Sequence, residues 1–154
     1  MIQPLMSKSP EDTLALGEAF GREFVRAGVV VTVRGELGAG KTHFIKGIAR
    51  SLGIDERDIT SPTFTLANEF EVSAAGNAQT ESLPRRAPRV LFHLDCYRFE
   101  KPEELLALGV EDYLYPKNAA TIIEWPERIA GLIPADAMNV TIEIIGDTER
   151  NIAW

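Results

Sequence analysis

The segment Gly35-Glu36-Leu37-Gly38-Ala39-Gly40-Lys41-Thr42 constrains this chain more than any other. It fits G-x-x-x-x-G-K-[ST] at every fixed position. Glycines in such a segment let the main chain curl so that successive N–H groups point inward, at phosphate oxygens. Lys41 adds a point charge for the β- and γ-phosphates. The Thr42 hydroxyl is of the type that coordinates magnesium. The segment follows the β-branched run 29–33 and opens an amphipathic stretch with Ile45, Ile48, Ala49 and Leu52 on one side. A phosphate loop needs that setting: a buried strand delivers the chain to the loop, and the helix behind it aims its positive end at the anion.

The elements around the loop predict an α/β domain. Ser9-Pro10-Glu11-Asp12 reads as a helix start, with Ser9 as cap and Pro10 at the first helical position. Leu16, Phe20 and Phe24 then fall on one face. Strands are predicted at 64–70, 90–95 and 121–124, a short helix at 102–108, and a closing hairpin from 139–145 and 151–154. Strands alternating with helices give a central mixed sheet flanked by helices, a single P-loop domain over 1–154 with a C-terminal hairpin. The stretch 71–89 is rich in small and polar residues and carries no core pattern, so a flexible hairpin loop is expected there. Its arginines, Arg85, Arg86 and Arg89, are either RNA contacts or part of a solvated loop.

Composition narrows the function. The 154 residues carry a formal net charge of −7, which argues against broad phosphate-driven binding of nucleic acid by this chain alone. It leaves room for an acidic subunit beside an RNA-binding partner. The single cysteine, Cys96, rules out an internal disulfide and a Cys-rich metal site. No apolar run approaches a membrane span, and MIQPLMSKSP has no apolar signal core, so a cytoplasmic location is expected.

A phosphate loop is normally answered by an acid at the end of a neighbouring buried strand. Two strands end that way, in Asp95 and in Glu124. His93 alternates with Asp95 and shares its face. Ser61-Pro62-Thr63 is either a hydroxyl-bearing switch segment or a turn fixed by Pro62. Trp125 either borders the nucleotide or caps the sheet as a core aromatic. No guanine-reading N-K-x-D-type loop is present, since Pro116-Lys117-Asn118-Ala119 does not supply one. ATP or ADP with Mg2+ is therefore the expected ligand. A small-molecule kinase shares the phosphate loop, but the arginine-rich lid and acceptor pocket it would need are not evident.

GELGAGKT, ITSPTFTL, LFHLDCYRF, PEELLALGVEDYL and IIEWPERI occur in this order. Together they resemble the TsaE (YjeE) family, the ATPase component of bacterial tRNA threonylcarbamoyladenosine synthesis. The resemblance implies that Glu36, Leu37, Gly38, Ala39 and Gly40 form the phosphate cradle with Lys41, and that Thr42 and Glu124 hold magnesium. It implies that Asp95 is the essential acid near the phosphates and Thr63 part of the switch. It places Trp125 and Arg150 beside the nucleotide, and the helix start near Glu11 to Thr13 beside the base. The implied activity is a weak Mg2+-dependent ATPase. The implied partner is a TsaD–TsaB-type complex, with tRNA met only through that complex and no membrane involved.

Overall fold

A computed structural model describes residues 3–62, 65–73 and 86–154. The element order is β1 (Leu5–Ser7), α1 (Pro10–Phe24), β2 (Val30–Arg34), α2 (Lys41–Ser51), β3 (Ala67–Glu71), β4 (Val90–Asp95), α3 (Pro102–Ala107), α4 (Glu111–Leu114), β5 (Ala119–Glu124), β6 (Met138–Ile144) and β7 (Arg150–Ala153). Short 3-10 segments occupy Glu56–Asp58 and Pro126–Leu132. The strands form one seven-stranded sheet in the order β1-β7-β6-β2-β5-β4-β3. The four central strands β6, β2, β5 and β4 are parallel, and the strands outside them pair antiparallel.

The central strands read as apolar runs because both sheet faces are covered. On one face Val31, Val33, Ala120, Ile122 and Leu91 pack against Phe20, Phe44, Ile45 and Ile48 of α1 and α2. On the other, Val30, Ile123 and Leu94 meet Leu105, Val110, Leu114 and Ile129. Trp154, just beyond β7, closes an aromatic group with Phe20, Phe24 and Phe44, its ring centroid 5.3 Å from that of Phe20. The expected hairpin is thus present and tied into the core.

Helix α1 begins as its sequence predicts. Ser9 Oγ accepts from the Asp12 N–H, and Pro10 takes the first turn. The helix stops at Phe24, because Val25 turns extended and buries itself. α1 and α2 touch backbone to backbone. A Cβ on Gly17 would collide with the Phe44 carbonyl, and one on Gly47 with the Leu14 carbonyl. That contact fixes α2, and with it the loop at its N-terminus.

Four elements escaped the sequence patterns: β1, α4 and the two 3-10 segments. Each is short, and β1 is held by its pairing with β7 and by the Ser7 hydroxyl, which lies 2.7 Å from that of Thr13. The expected strand at 64–70 runs from Ala67 to Glu71. The stretch 71–89 is anchored at both ends. Glu71 closes β3, the Val72 N–H donates to the Arg89 carbonyl (2.9 Å), and the Arg86 carbonyl accepts from Ala27 N–H (3.0 Å). Its middle, 74–85 with Arg85, lies outside the described residues.

Candidate active site

The parallel strands β2, β4 and β5 finish level with one another. Val33 of β2 lies opposite Glu124 of β5, and Asp95 of β4 lies opposite the same Glu124. Ligands of open α/β sheets bind in the crevice beyond such carboxyl ends. Here the crevice measures about 340 Å3 and is lined by Leu37, Gly38, Gly40, Lys41, Thr42, Ser61, Asp95, Tyr97, Glu124 and Trp125, together with His43.

The loop turns through positive φ at Gly35, Gly38 and Gly40, and at Gly38 and Gly40 the left-handed conformation requires a residue without a Cβ. Ala39 is fully buried beneath it, whereas the side chain of Leu37 is 76% exposed. Leu37 therefore contributes main chain, not side chain. Arg150 braces the loop from β7. Its Nε donates to the Ala39 carbonyl (2.9 Å) and its Nη2 to that of Gly38 (3.2 Å). The same guanidinium reaches the carbonyls of Gly146 (3.0 Å) and Glu149 (2.9 Å).

Lys41 is folded back into its own loop. Nζ donates to the carbonyls of Gly35 (2.7 Å) and Glu36 (3.0 Å), and stands 4.2 Å from the centre of the Trp125 ring. Burial pushes its pKa down, while Glu124, Asp95 and Glu127 pull it back up. Trp125 sits in the left-handed region (φ 56, ψ 48), between Glu124 and Pro126. This is an uncommon conformation for a bulky residue, and such strain concentrates at functional sites. It lays the ring under Lys41 and against Tyr97, 4.9 Å between centroids.

The two acids differ in surroundings. Glu124 is buried, and its Oε1 lies 2.7 Å from His93 Nε2. Asp95 is half-buried and accepts from the Tyr97 N–H at 2.9 Å. Burial pushes the Asp95 carboxyl upward, the Tyr97 N–H lowers it, and the nearby Glu124 raises it again. His93 shares a face with Asp95, as its spacing requires, but its partner is Glu124 on the neighbouring strand. Cys96 points to the opposite side and is packed at 1% exposure, its thiol raised to about 12 by burial.

The family described as "Threonylcarbamoyl adenosine biosynthesis protein TsaE" matches residues 7–152. The chain belongs to the TsaE family. It is similar to the tRNA threonylcarbamoyladenosine biosynthesis protein TsaE of Treponema pallidum, 34% identical over 147 residues, 96% of each chain. The protein of that name from Bacillus subtilis is 35% identical over 95% of this chain and 80% of its own length. A crystal structure of Bacillus subtilis YdiB matches the fold with a TM-score of 0.69 and 30% identity, covering 99% of this chain and 84% of that one.

Set against the TsaE expectations, the fold gathers Lys41, Thr42, Asp95, Glu124 and Trp125 on one crevice. Arg150 comes in from the far side of the loop. Thr63 lies outside the described residues; its neighbour Ser61 lines the crevice. A second hollow, of about 140 Å3, opens between the start of α1, the loop and the β6–β7 turn. Its lining includes Ser9, Thr13, His43, Asp147 and Thr148. Of these five only Thr13 falls in a segment, the start of α1, that the family resemblance pointed to; Ser9, His43, Asp147 and Thr148 were not predicted. They come together only because β7 lies beside β6 and β1, and α1 starts above the loop. Among the described residues no group of three or more His, Cys, Asp or Glu side chains could hold a metal unaided. No described helix is long and apolar enough to cross a membrane.

Proposed function

We propose that the chain binds ATP with Mg2+ in this crevice and hydrolyses it slowly, in the service of tRNA threonylcarbamoyladenosine biosynthesis. The observation that carries the reading is the convergence of the Lys41–Thr42 loop end with Asp95 and Glu124 at one sheet edge. Membership of the TsaE family supplies the process.

The main-chain N–H groups of 38–42 and the N-terminus of α2 receive the phosphates. Lys41 exchanges its carbonyl partners for the β- and γ-phosphate oxygens, and the acids opposite help it keep its proton. Thr42 Oγ and Glu124 hold the cation. Two such protein oxygens would suit Mg2+, which dehydrates reluctantly and keeps several waters. Mg2+ would neutralise charge developing on the phosphates. Asp95, lifted by burial and close to the loop, acts on hydrolysis and switching more than on binding. The hollow beside Thr13 and Arg150 lies where the ribose and base leave the loop.

The crevice is open, with Leu37 and Tyr97 exposed at its mouth. Arg150 is engaged with loop carbonyls and offers no lid. A partner that closes the site and excludes water would raise the rate. A TsaD–TsaB-type complex in the cytoplasm is the partner inferred, with tRNA met through it. Steady-state hydrolysis and co-elution, each with ATP analogue, ADP and no nucleotide, test this. Slow basal turnover that rises with the complex, and nucleotide-dependent co-elution, are expected. Fast turnover indifferent to the complex, with no nucleotide-dependent co-elution, would contradict it.

A further inference from the structure

His93 is fully buried in β4 and takes no part in the account above. Its Nε2 stands 2.7 Å from Glu124 Oε1, and its other ring nitrogen, Nδ1, is buried without a hydrogen-bond partner. On the same sheet face Leu91 and Ile122 are apolar, while Asn68 of β3 lies across from His93 and Asp95 two residues further along β4. We propose that His93 is a positioning residue that donates from Nε2 to Glu124 Oε1 and so leaves Oε2 to face the cation. The proposal rests on the reading of Glu124 as a Mg2+ ligand and adds how that carboxylate is held.

The argument runs through donors and acceptors. An ionised carboxylate only accepts, so a nitrogen at 2.7 Å from it carries the hydrogen. In the tautomer with its hydrogen on Nε2, the Nδ1 atom is an acceptor. An acceptor without a partner is the better tolerated kind of buried orphan, since unpaired buried N–H groups are rarer. A leucine would fill this fully buried position without an unsatisfied polar atom, and burying half an imidazole unsatisfied is costly. What the histidine supplies in return is one fixed hydrogen bond to a side chain with three rotatable bonds. Carboxylates that bind metals are held by such outer hydrogen bonds, and losing one typically weakens metal affinity 10- to 100-fold.

Calorimetric titration of a non-hydrolysable ATP analogue, in Mg2+ and in EDTA, tests the proposal on the wild type, His93→Leu and His93→Gln. In His93→Leu the affinity gained from Mg2+ should fall about 10- to 100-fold, while affinity in EDTA stays within about threefold. His93→Gln keeps an N–H donor at similar reach and should recover most of the gain. An unchanged Mg2+ gain in His93→Leu would overturn the proposal. So would equal losses in Mg2+ and EDTA, which mark a merely structural role. Nitrogen-15 NMR of the wild-type imidazoles needs no variant: a hydrogen on Nε2 is expected, and a ring that carries its hydrogen on Nδ1 instead would overturn the proposal. A wild type that gains no affinity from Mg2+ would remove the metal reading itself, which is a separate result from a His93 effect that fails to appear.

Discussion

In the proposed site the loop of 35–42 would grip with main-chain N–H groups, whereas the wall facing it, Asp95 and Glu124, would act through carboxylates at strand ends. The loop is positioned by backbone contacts: glycines at positive φ, and an α1–α2 interface so close that Gly17 and Gly47 leave no room for a methyl group. The wall is positioned by strand register and by a histidine. These two constructions carry different costs. Main-chain donors are pinned by the fold whether or not a ligand is present. The acids and Lys41 are charged groups taken partly out of water, and their pKa values move accordingly, Asp95 upward and Lys41 downward.

The largest effect is expected where the two sides meet. Lys41→Ala should weaken ATP binding by two orders of magnitude or so, because it removes charge-assisted hydrogen bonds worth about 1.5–3 kcal/mol each. Hydrolysis should become undetectable. Calorimetry and phosphate release measure both, and unchanged affinity would show that the main chain alone suffices.

On the loop side, Gly47→Ala forces α1 and α2 apart. Overpacking of this kind costs about 1–3 kcal/mol. A melting transition lowered by roughly 3–10 °C is expected, along with weaker nucleotide binding as the loop shifts. An unaltered transition would mean that the interface yields without cost.

Asp95→Asn should act in the opposite sense. A folded-state carboxyl pKa above the unfolded value means that the ionised form opposes folding. That cost is present at neutral pH and is relieved as pH falls through the raised folded value. The asparagine variant should therefore melt higher than wild type at pH 7.5 with no nucleotide bound, and the gap should close at acid pH. Hydrolysis should fall about 100-fold or more while ATP affinity changes little. A lower melting transition would show that the Tyr97 N–H bond outweighs desolvation. The smallest effect belongs to Cys96: with its thiol raised to about 12 and packed away, it should resist alkylation at pH 8 in the folded protein and react on unfolding in urea.

The same contrast explains what the sequence discloses. A main-chain device depends on which residue stands at which position, so Gly35 to Thr42 reads directly, as do the buried strands and the Ser9 cap. The ends of β4 and β5 were readable too, as acids closing apolar runs. Their adjacency was not, because it depends on β5 lying between β2 and β4 in the sheet. For the same reason His93 reads as a companion of Asp95 from spacing alone, while the register gives it to Glu124. The hollow beside Thr13 and Asp147 draws on both chain ends, and no local pattern announces it. β1 has three residues and little intrinsic signal; pairing with β7 makes it a strand.

The central claim is that loop and acidic wall together make a site for ATP with Mg2+. Its most direct test is calorimetric titration of ATP and GTP into the wild type, Lys41→Ala and Glu124→Ala, in Mg2+ and in EDTA. The account predicts preference for ATP over GTP, loss of affinity in Lys41→Ala under both conditions, and loss in Glu124→Ala confined to Mg2+. Equal affinity for GTP, or a Glu124→Ala protein that still gains full affinity from Mg2+, would contradict it.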